Sequence, residues 1–161
     1  MFDRHNGVVN ARLSVESLSL SGALPVYAQS AALCYRRVED QSEILLVTSR
    51  RARRWIIPKG WLMKGLFPHE AAAQEAWEEA GVTGTCECAS VGQFSYLKER
   101  TVKGSILCQV DVFPVYVDKI SSEFPEQAER KRKWLSFKNA ALRVSEPELV
   151  EILQNFKPNT H

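Results

Sequence analysis

The chain has 161 residues, a length that suits one domain with a substantial hydrophobic core. Hydrophobic residues make up 45% of the sequence and charged residues 25%, as in an ordinary globular protein. The formal net charge of +2 provides no global attraction to nucleic acid or to a membrane surface, and no apolar run approaches membrane-spanning length.

The first 22 residues are polar and weakly patterned, and they lack the apolar centre of a signal peptide. We expect residues 1–22 to form an arm that precedes a single domain over residues 23–157, in a cytoplasmic protein. Four cysteines occur without a C-x-x-C pair, which favours reduced, buried thiols over zinc ligands or disulfides. They are Cys34, Cys86, Cys88 and Cys108.

Three strands are predicted in the first part of the domain. Residues 25–37 combine small and β-favouring side chains, and residues 43–49 have a continuous apolar centre that is typical of a strand buried on both faces. A polar turn separates these two segments. Residues 55–57 form a short third strand, and residues 60–65 are predicted to be a loop.

An alanine-rich helix is predicted between Pro68 and Gly81. Pro68 suits the first turn, where a missing N–H costs nothing, and Gly81 suits the left-handed position after the last turn. Glu75, Glu78 and Glu79 have helical spacing and should share one face. The opposite face is predicted to pack on the core; its residues are Ala73, Ala76, Trp77 and Ala80.

Three carboxylates on one helix face repel one another in water. A hard divalent cation would relieve this repulsion, because Mg²⁺ prefers oxygen ligands and favours carboxylates. Mn²⁺ is an alternative of similar ligand preference. Taken alone, the three glutamates also fit a solvated helix face, which is the usual position of this residue type.

The remaining elements predict an α/β sandwich. Strands are expected over residues 86–97, 105–117 and 134–137, and Pro114 marks a bulge or an edge position in the second of these. Helices are expected over residues 137–142 and 147–156. Strands around a central helix, with further helices at the end, suit a sheet between helical layers.

The segment from Gly60 to Val82 resembles the Nudix box, which runs Gly-x5-Glu-x7-Arg-Glu-aliphatic-x-Glu-Glu-x-Gly-aliphatic. Two positions depart from that pattern, because Leu66 replaces the first Glu and Gln74 replaces the Arg. In the family these two side chains are thought to form an ion pair that braces the loop against the helix. The remaining box positions match; they are Gly60, Glu75, Ala76, Glu78, Glu79, Gly81 and Val82.

The Nudix resemblance covers about residues 25–156 and implies a mixed sheet between helices. It also implies that the carbonyl of Gly60 and the carboxylates of Glu75, Glu78 and Glu79 bind the metal. Glu78 or Glu79 is the expected general base. Because the position of the base varies in the family, the loop acids Glu99 and Glu129 remain alternatives.

Basic residues indicate a substrate rich in phosphate, since Arg binds phosphate bidentately and Lys adds point charge. Clusters lie before the box, before Trp134 and in a predicted hairpin loop over residues 98–103. The segments S-R-R-x-x-R-W-I-I-P and E-R-K-R-K-W-L-S-F resemble those of the diphosphoinositol polyphosphate phosphohydrolase branch. The residues predicted to bind substrate are Arg50, Arg51, Arg53, Lys59, Lys64, Arg130 and Arg132.

This resemblance implies a Mg²⁺-dependent hydrolase of phosphoanhydride bonds, with a diphosphoinositol polyphosphate or a diadenosine polyphosphate as substrate. Two alternatives remain open at this point. One is a nucleotide-type Nudix pyrophosphatase that acts on ADP-ribose or a dNTP, with an aromatic side chain stacked on the base. The other is a weakly active or inactive nucleotide-binding module, in which Leu66 and Gln74 mark a lost activity.

Overall fold

The computed structural model describes residues 24–158, so the predicted arm over residues 1–22 lies outside the described part of the chain. Within that part, eight strands form one mixed sheet and three helices pack on its two faces. The strands are β1 (Val26–Val38), β2 (Gln41–Thr48), β3 (Trp55–Ile56), β4 (Lys59–Trp61), β5 (Val82–Cys86), β6 (Gly92–Lys98), β7 (Ile106–Ile120) and β8 (Arg132–Ser136). The helices are α1 (Pro68–Ala80), α2 (Phe137–Arg143) and α3 (Pro147–Asn155).

The sheet is built around β1 and β7, which run parallel to each other and carry the other strands on their outer edges. The path of neighbours is β3-β2-β1-β7-β5, while β4 pairs with β1, β6 with β7 and β8 with β2. Every pairing except β1 with β7 is antiparallel. The predicted α/β sandwich with a mixed sheet is therefore confirmed.

Two apolar clusters lie on opposite faces of the sheet, because successive side chains of a strand alternate between faces. Ala32 and Cys34 of β1 pack toward α1, and their neighbours Leu33 and Tyr35 pack toward α2 and α3. β2 divides in the same way and is buried on both faces from Ile44 to Thr48, as its continuous apolar centre predicts.

The strand predicted over residues 86–97 is wrong in its boundaries. β5 begins earlier, at Val82, and the chain leaves the sheet between Cys86 and Gly92 before β6 resumes pairing with β7. Pro114 of β7 lies opposite this interruption. Its missing N–H therefore costs no hydrogen bond between strands. Pro114 is thus at a local edge, although β7 itself is central.

The loop predicted over residues 60–65 begins later than expected, because residues 59–61 form β4. Ser30 and Gly60 are register partners in its antiparallel pairing with β1. Such a short segment has no periodicity of its own, so its strand geometry comes from its neighbour. β4 positions the start of the box against the centre of the sheet.

All four cysteines are free thiols, as predicted. Cys34 and Cys108 are buried, whereas Cys86 is half-buried and Cys88 is exposed. The prediction that all four thiols are buried is therefore wrong for Cys88, which lies in the exposed turn between β5 and β6.

Candidate active site

The ends of α1 are set by the residues that the sequence singles out. Pro68 occupies the first turn, and the Glu70 carboxylate accepts a hydrogen bond of 2.8 Å from the Phe67 N–H just before it. Gly81 follows the last turn with a φ of 69° and a ψ of 25°, a left-handed conformation that favours glycine. Its N–H donates to the carbonyl of Trp77 at 3.0 Å.

The face of α1 that packs on the sheet agrees only in part with the predicted one, since Ala76 and Ala80 are buried as predicted. The buried residues are Ala71, Ala72, Ala76, Glu79 and Ala80, while Ala73 and Trp77 are only partly buried. The helix is therefore rotated so that Glu75 and Glu79 face inward. The sequence prediction omitted Glu79 from this face because an acid on a helix is normally solvated.

Gly60 of β4 lies directly against Glu75. A Cβ at position 60 would overlap the Glu75 carboxylate, so only glycine fits here without a shift. A larger residue at position 60 would therefore displace the Glu75 carboxylate from its present position. This close approach also brings the backbone of Gly60, whose carbonyl is a predicted metal ligand, next to a predicted carboxylate ligand.

Glu79 is 3% exposed, and both of its oxygens have protein partners. Oε1 lies 3.0 Å from Nη2 of Arg130, and Oε2 accepts a hydrogen bond of 3.2 Å from the Lys59 N–H. Burial raises the pKa of the Glu79 carboxyl to about 7, and Arg130 and Lys59 oppose that rise. Glu79 is thus held in one orientation by charge and by a backbone amide.

Glu75 is half-buried, and its environment penalises a negative charge. Burial is the first cause that raises the pKa of this carboxyl to about 8, followed by the charges of Glu79, Glu78 and Glu126. A cation would offset this repulsion, so the chemistry of the donor set fits a hard divalent metal. Within residues 24–158, however, no three acidic, thiol or imidazole groups already converge at metal-binding distance.

Glu78 is half-buried and is contacted from its own helix. The Gln74 amide donates a hydrogen bond to Glu78 Oε1 at 3.2 Å. An uncharged side chain therefore contacts Glu78 from the position where the box has an arginine. Gln74 and Leu66 also line an open cleft of about 620 Å³ between α1 and β5, with His69, Trp77, Cys86 and Val115. Neither Glu75 nor Glu79 lines this cleft.

Glu126 is an acid near the site that the sequence reasoning missed. It is half-buried, its N–H donates to the carbonyl of Glu78 at 3.0 Å, and its carboxylate lies 3.1 Å from Arg130 Nη2. The two loop acids considered instead, Glu99 and Glu129, are exposed. Sequence separation hid Glu126, because only the packing of residues 121–131 against the end of α1 brings it close.

Four of the predicted substrate-binding residues are exposed. Arg50, Arg51 and Arg53 project from a turn between β2 and β3, which is closed by hydrogen bonds between residues 49 and 54. Arg50 lies 3.7 Å from Glu126 and 3.9 Å from Glu129, and these long contacts leave its side chain 61% exposed. Lys64 is exposed in the loop before α1.

The other three predicted substrate-binding residues have protein partners. Lys59 is half-buried with its ammonium 4.9 Å from the centre of the Tyr96 ring, and burial lowers its pKa. Arg130 contacts Glu79, as described above. Arg132 donates to the carbonyls of Ala80 and Ser121 at 2.8 Å and lies over the Phe124 ring.

An exposed aromatic patch lies beside β4, on the face of the sheet opposite α1. It comprises Tyr27 of β1 and Trp61 of β4, whose ring centres are 6.1 Å apart, with the Lys98 ammonium 5.4 Å from the Trp61 ring centre. The two rings are 48% and 42% exposed. Such a surface offers an aromatic plane and a positive charge side by side.

A family model described as the NUDIX domain matches residues 28–156. The *Bos taurus* diphosphoinositol polyphosphate phosphohydrolase 3-beta is 29% identical over 133 residues, covering 80% of this chain and 77% of that protein. Nudix hydrolase 12, mitochondrial, of *Arabidopsis thaliana* is 34% identical over 104 residues, covering 63% of this chain and 51% of that protein.

Among solved structures, the Ap4A hydrolase of *C. elegans* has a similar fold. The TM-score is 0.58 at 20% identity, and the match covers 80% of this chain and 94% of that one. In the described part of our chain, no helix combines the length and apolarity needed to cross a bilayer.

Proposed function

Because the chain belongs to the Nudix hydrolase family, we propose that it is a Mg²⁺-dependent enzyme that cleaves phosphoanhydride bonds in a polyphosphorylated small molecule. The observation that carries this proposal is the inward-facing acidic side of α1, where Glu75 lies against Gly60 and Glu79 is buried beside it. A helix that packed only for stability would place apolar side chains there.

The residues proposed to hold the cation are Glu75, Glu78, Glu79 and the carbonyl of Gly60. When bound, Mg²⁺ supplies charge that neutralises phosphate oxygens and lowers the pKa of the attacking water. Mn²⁺ has similar preferences and is the expected substitute.

Glu78 is our first choice for the general base. Both oxygens of Glu79 have partners in Arg130 and the Lys59 amide, whereas Glu78 accepts a hydrogen bond from the neutral Gln74 amide. A base must be able to accept a proton from water near the substrate, and such groups typically contribute 10²–10⁴-fold to rate. Lys and Arg side chains would stabilise charge on the leaving phosphate.

For the substrate we propose a diadenosine polyphosphate or a diphosphoinositol polyphosphate, as the named relatives suggest. The patch of Tyr27, Trp61 and Lys98 favours the first, because a purine can stack there and an inositol ring cannot. The exposed turn with Arg50, Arg51 and Arg53 serves either substrate. ADP-ribose and dNTPs remain the alternative substrates.

For the location we propose the cytoplasm, because free cysteines are typical of a reducing compartment.

The test is a substrate panel with Mg²⁺ and product analysis in ¹⁸O-labelled water. It includes diadenosine tetraphosphate, diphosphoinositol pentakisphosphate, ADP-ribose and dNTPs, at low and high salt. Trp61→Leu should raise KM for the dinucleotide and leave the inositol substrate unchanged. Arg50→Gln with Arg53→Gln should raise KM for polyphosphates at low salt, because exposed charges are screened over about 8 Å near physiological salt.

Each outcome separates the candidate functions. Hydrolysis of at least one substrate with ¹⁸O in the product supports the enzyme. Binding of a nucleotide without turnover, with Mg²⁺ or with Mn²⁺, would instead favour the inactive binding module. Equal effects of the Arg50 and Arg53 changes on ADP-ribose and on the polyphosphates would remove the reason for preferring a polyphosphate.

A further inference from the structure

The helix that carries the acidic residues has no arginine or lysine of its own. The box positions for the family's ion pair hold Leu66 and Gln74, and Gln74 offers Glu78 only a neutral amide. Glu79 is nevertheless buried and close to Glu75 and Glu126. A buried carboxylate is costly unless a charge or several hydrogen bonds compensate it.

The compensating charge comes from another part of the chain. The Arg130 side chain is 7% exposed, and its Nη2 lies 3.0 Å from Glu79 Oε1 and 3.1 Å from Glu126 Oε1. Its Nη1 donates to the carbonyl of Thr48 at 2.9 Å. One guanidinium therefore joins the end of β2, the loop before β8 and the buried side of α1.

The backbone around Arg130 is fixed on both sides of this contact. The Lys131 N–H donates to Thr48 Oγ1 at 3.0 Å, and the Thr48 N–H donates to the carbonyl of Lys131 at 3.1 Å. On the opposite side, the Glu126 N–H donates to the carbonyl of Glu78 at 3.0 Å. The planar guanidinium is thus pre-organised, and a lysine could reproduce its charge but not its fork.

We propose that Arg130 is a positioning residue for the Glu79 carboxylate. It holds the Glu79 carboxylate against the Lys59 amide, so that Glu79 keeps one orientation beside Glu75 and Gly60. The charge that compensates the buried side of α1 therefore comes from the segment before β8. This inference rests on the proposed function, because that function makes Glu79 a metal ligand. The contacts of Arg130 do not depend on the identity of the substrate.

Arg132 provides a matched control two residues away. It is also an arginine with protein partners in the same segment, but its guanidinium binds the neutral carbonyls of Ala80 and Ser121 and, within residues 24–158, no carboxylate. Replacing it removes similar packing and similar hydrogen bonds. A purely structural effect of arginine loss in this segment should therefore appear in both variants.

The experiment compares Arg130→Met, Arg130→Lys, Arg132→Met and Arg132→Lys with the unmodified chain. Thermal unfolding selects conditions in which each variant is folded, and calorimetry then measures the dissociation constant for Mn²⁺ alone. Loss of a residue that orients a metal ligand typically weakens metal binding 10–100-fold. We expect such a loss for Arg130→Met, a partial loss for Arg130→Lys, and a change under threefold for Arg132→Met.

A conservative variant separates positioning from packing. Arg130→Lys keeps the positive charge and should therefore retain part of the Mn²⁺ affinity that Arg130→Met loses. In the active enzyme the Arg130 variants should change kcat more than KM. If Arg130→Met does not fold, Arg130→Lys against Arg132→Lys makes the same comparison.

Two results would overturn the proposal. One is an unchanged Mn²⁺ affinity in folded Arg130→Met or, if that variant does not fold, in Arg130→Lys; the other is an equal loss in the corresponding Arg132 variant. If the unmodified chain binds Mn²⁺ but hydrolyses nothing in the substrate panel, the proposed function fails while the Mn²⁺ comparison still tests Arg130. If the unmodified chain does not bind Mn²⁺, both proposals fail.

Discussion

The helices α1 and α3 both begin with proline in the first turn and pack on opposite faces of one sheet, but they bury different chemistry. α3 buries Leu149 and Leu153, each 1% exposed, in the larger apolar cluster. α1 buries four alanines and Glu79. α3 therefore contributes mainly buried apolar area, whereas α1 mainly positions acidic groups.

The physical reason lies in the size of the side chains. Alanines let the backbone of α1 approach the sheet closely, but each contributes little apolar area, and burial stabilises by about 25 cal/mol per Å². Glu79 costs free energy unless Arg130 and the Lys59 amide compensate its charge. α1 therefore depends on specific polar contacts, whereas α3 depends on packing.

The largest expected effect is on catalysis and concerns α1. Glu78→Gln should reduce kcat by about 10²–10⁴-fold, because it removes a proposed general base and metal ligand. The thermal midpoint should change little, since Glu78 is only half-buried and its Gln74 contact survives in a neutral form. Glu151→Gln on α3 is the matched control and should keep full activity. Near-normal turnover in Glu78→Gln would contradict the assignment of the site.

The next effect is on stability and concerns α3. Leu153→Ala should lower the free energy of unfolding by about 2–5 kcal/mol, because it leaves a cavity in the apolar cluster. The folded fraction should keep its kcat, since Leu153 packs on the face of the sheet opposite α1. Chemical denaturation together with kinetics at low temperature tests both statements. A drop in kcat comparable to that of Glu78→Gln would show that the two helices are not separable.

The smallest effect is the pH dependence of stability without metal. The pKa of Glu75 is raised from 4.5 to about 8 in the folded protein, first by burial and then by Glu79 and Glu78. The folded state therefore binds more protons than the unfolded state between these values, and this group makes the free energy of unfolding fall as pH rises toward 8. Above pH 8 the loss is complete.

Denaturation at several pH values in the presence of a chelator tests this prediction. Glu75→Gln removes the titrating group and should be more stable than the unmodified chain at pH 8, with a flatter profile from pH 5 to 8. Adding Mg²⁺ should reduce the difference, because the cation offsets the same repulsion. A Glu75→Gln profile parallel to that of the unmodified chain would rule out Glu75 as the cause.

Local sequence signals were enough to predict the elements whose ends are marked by specific residues. Pro68 and Gly81 bound α1 because a proline fits the first turn and glycine fits the left-handed end. The helix predicted over residues 147–156 agrees with α3 to within one residue, since its leucines repeat at helical spacing. Gly60 and the three glutamates were assigned to a metal site from the box spacing, which is a short-range property, and that assignment stays a prediction.

Only the tertiary structure decided which way α1 is turned and what compensates its acids. Periodicity defines relative positions around a helix but not which side meets the sheet, so the predicted core face included Ala76 and Ala80 correctly but omitted Glu79. Arg130 and Glu126 lie about fifty residues beyond α1, so no local pattern links them to Glu79. The strand β4 likewise exists only because β1 supplies its hydrogen-bonding partner.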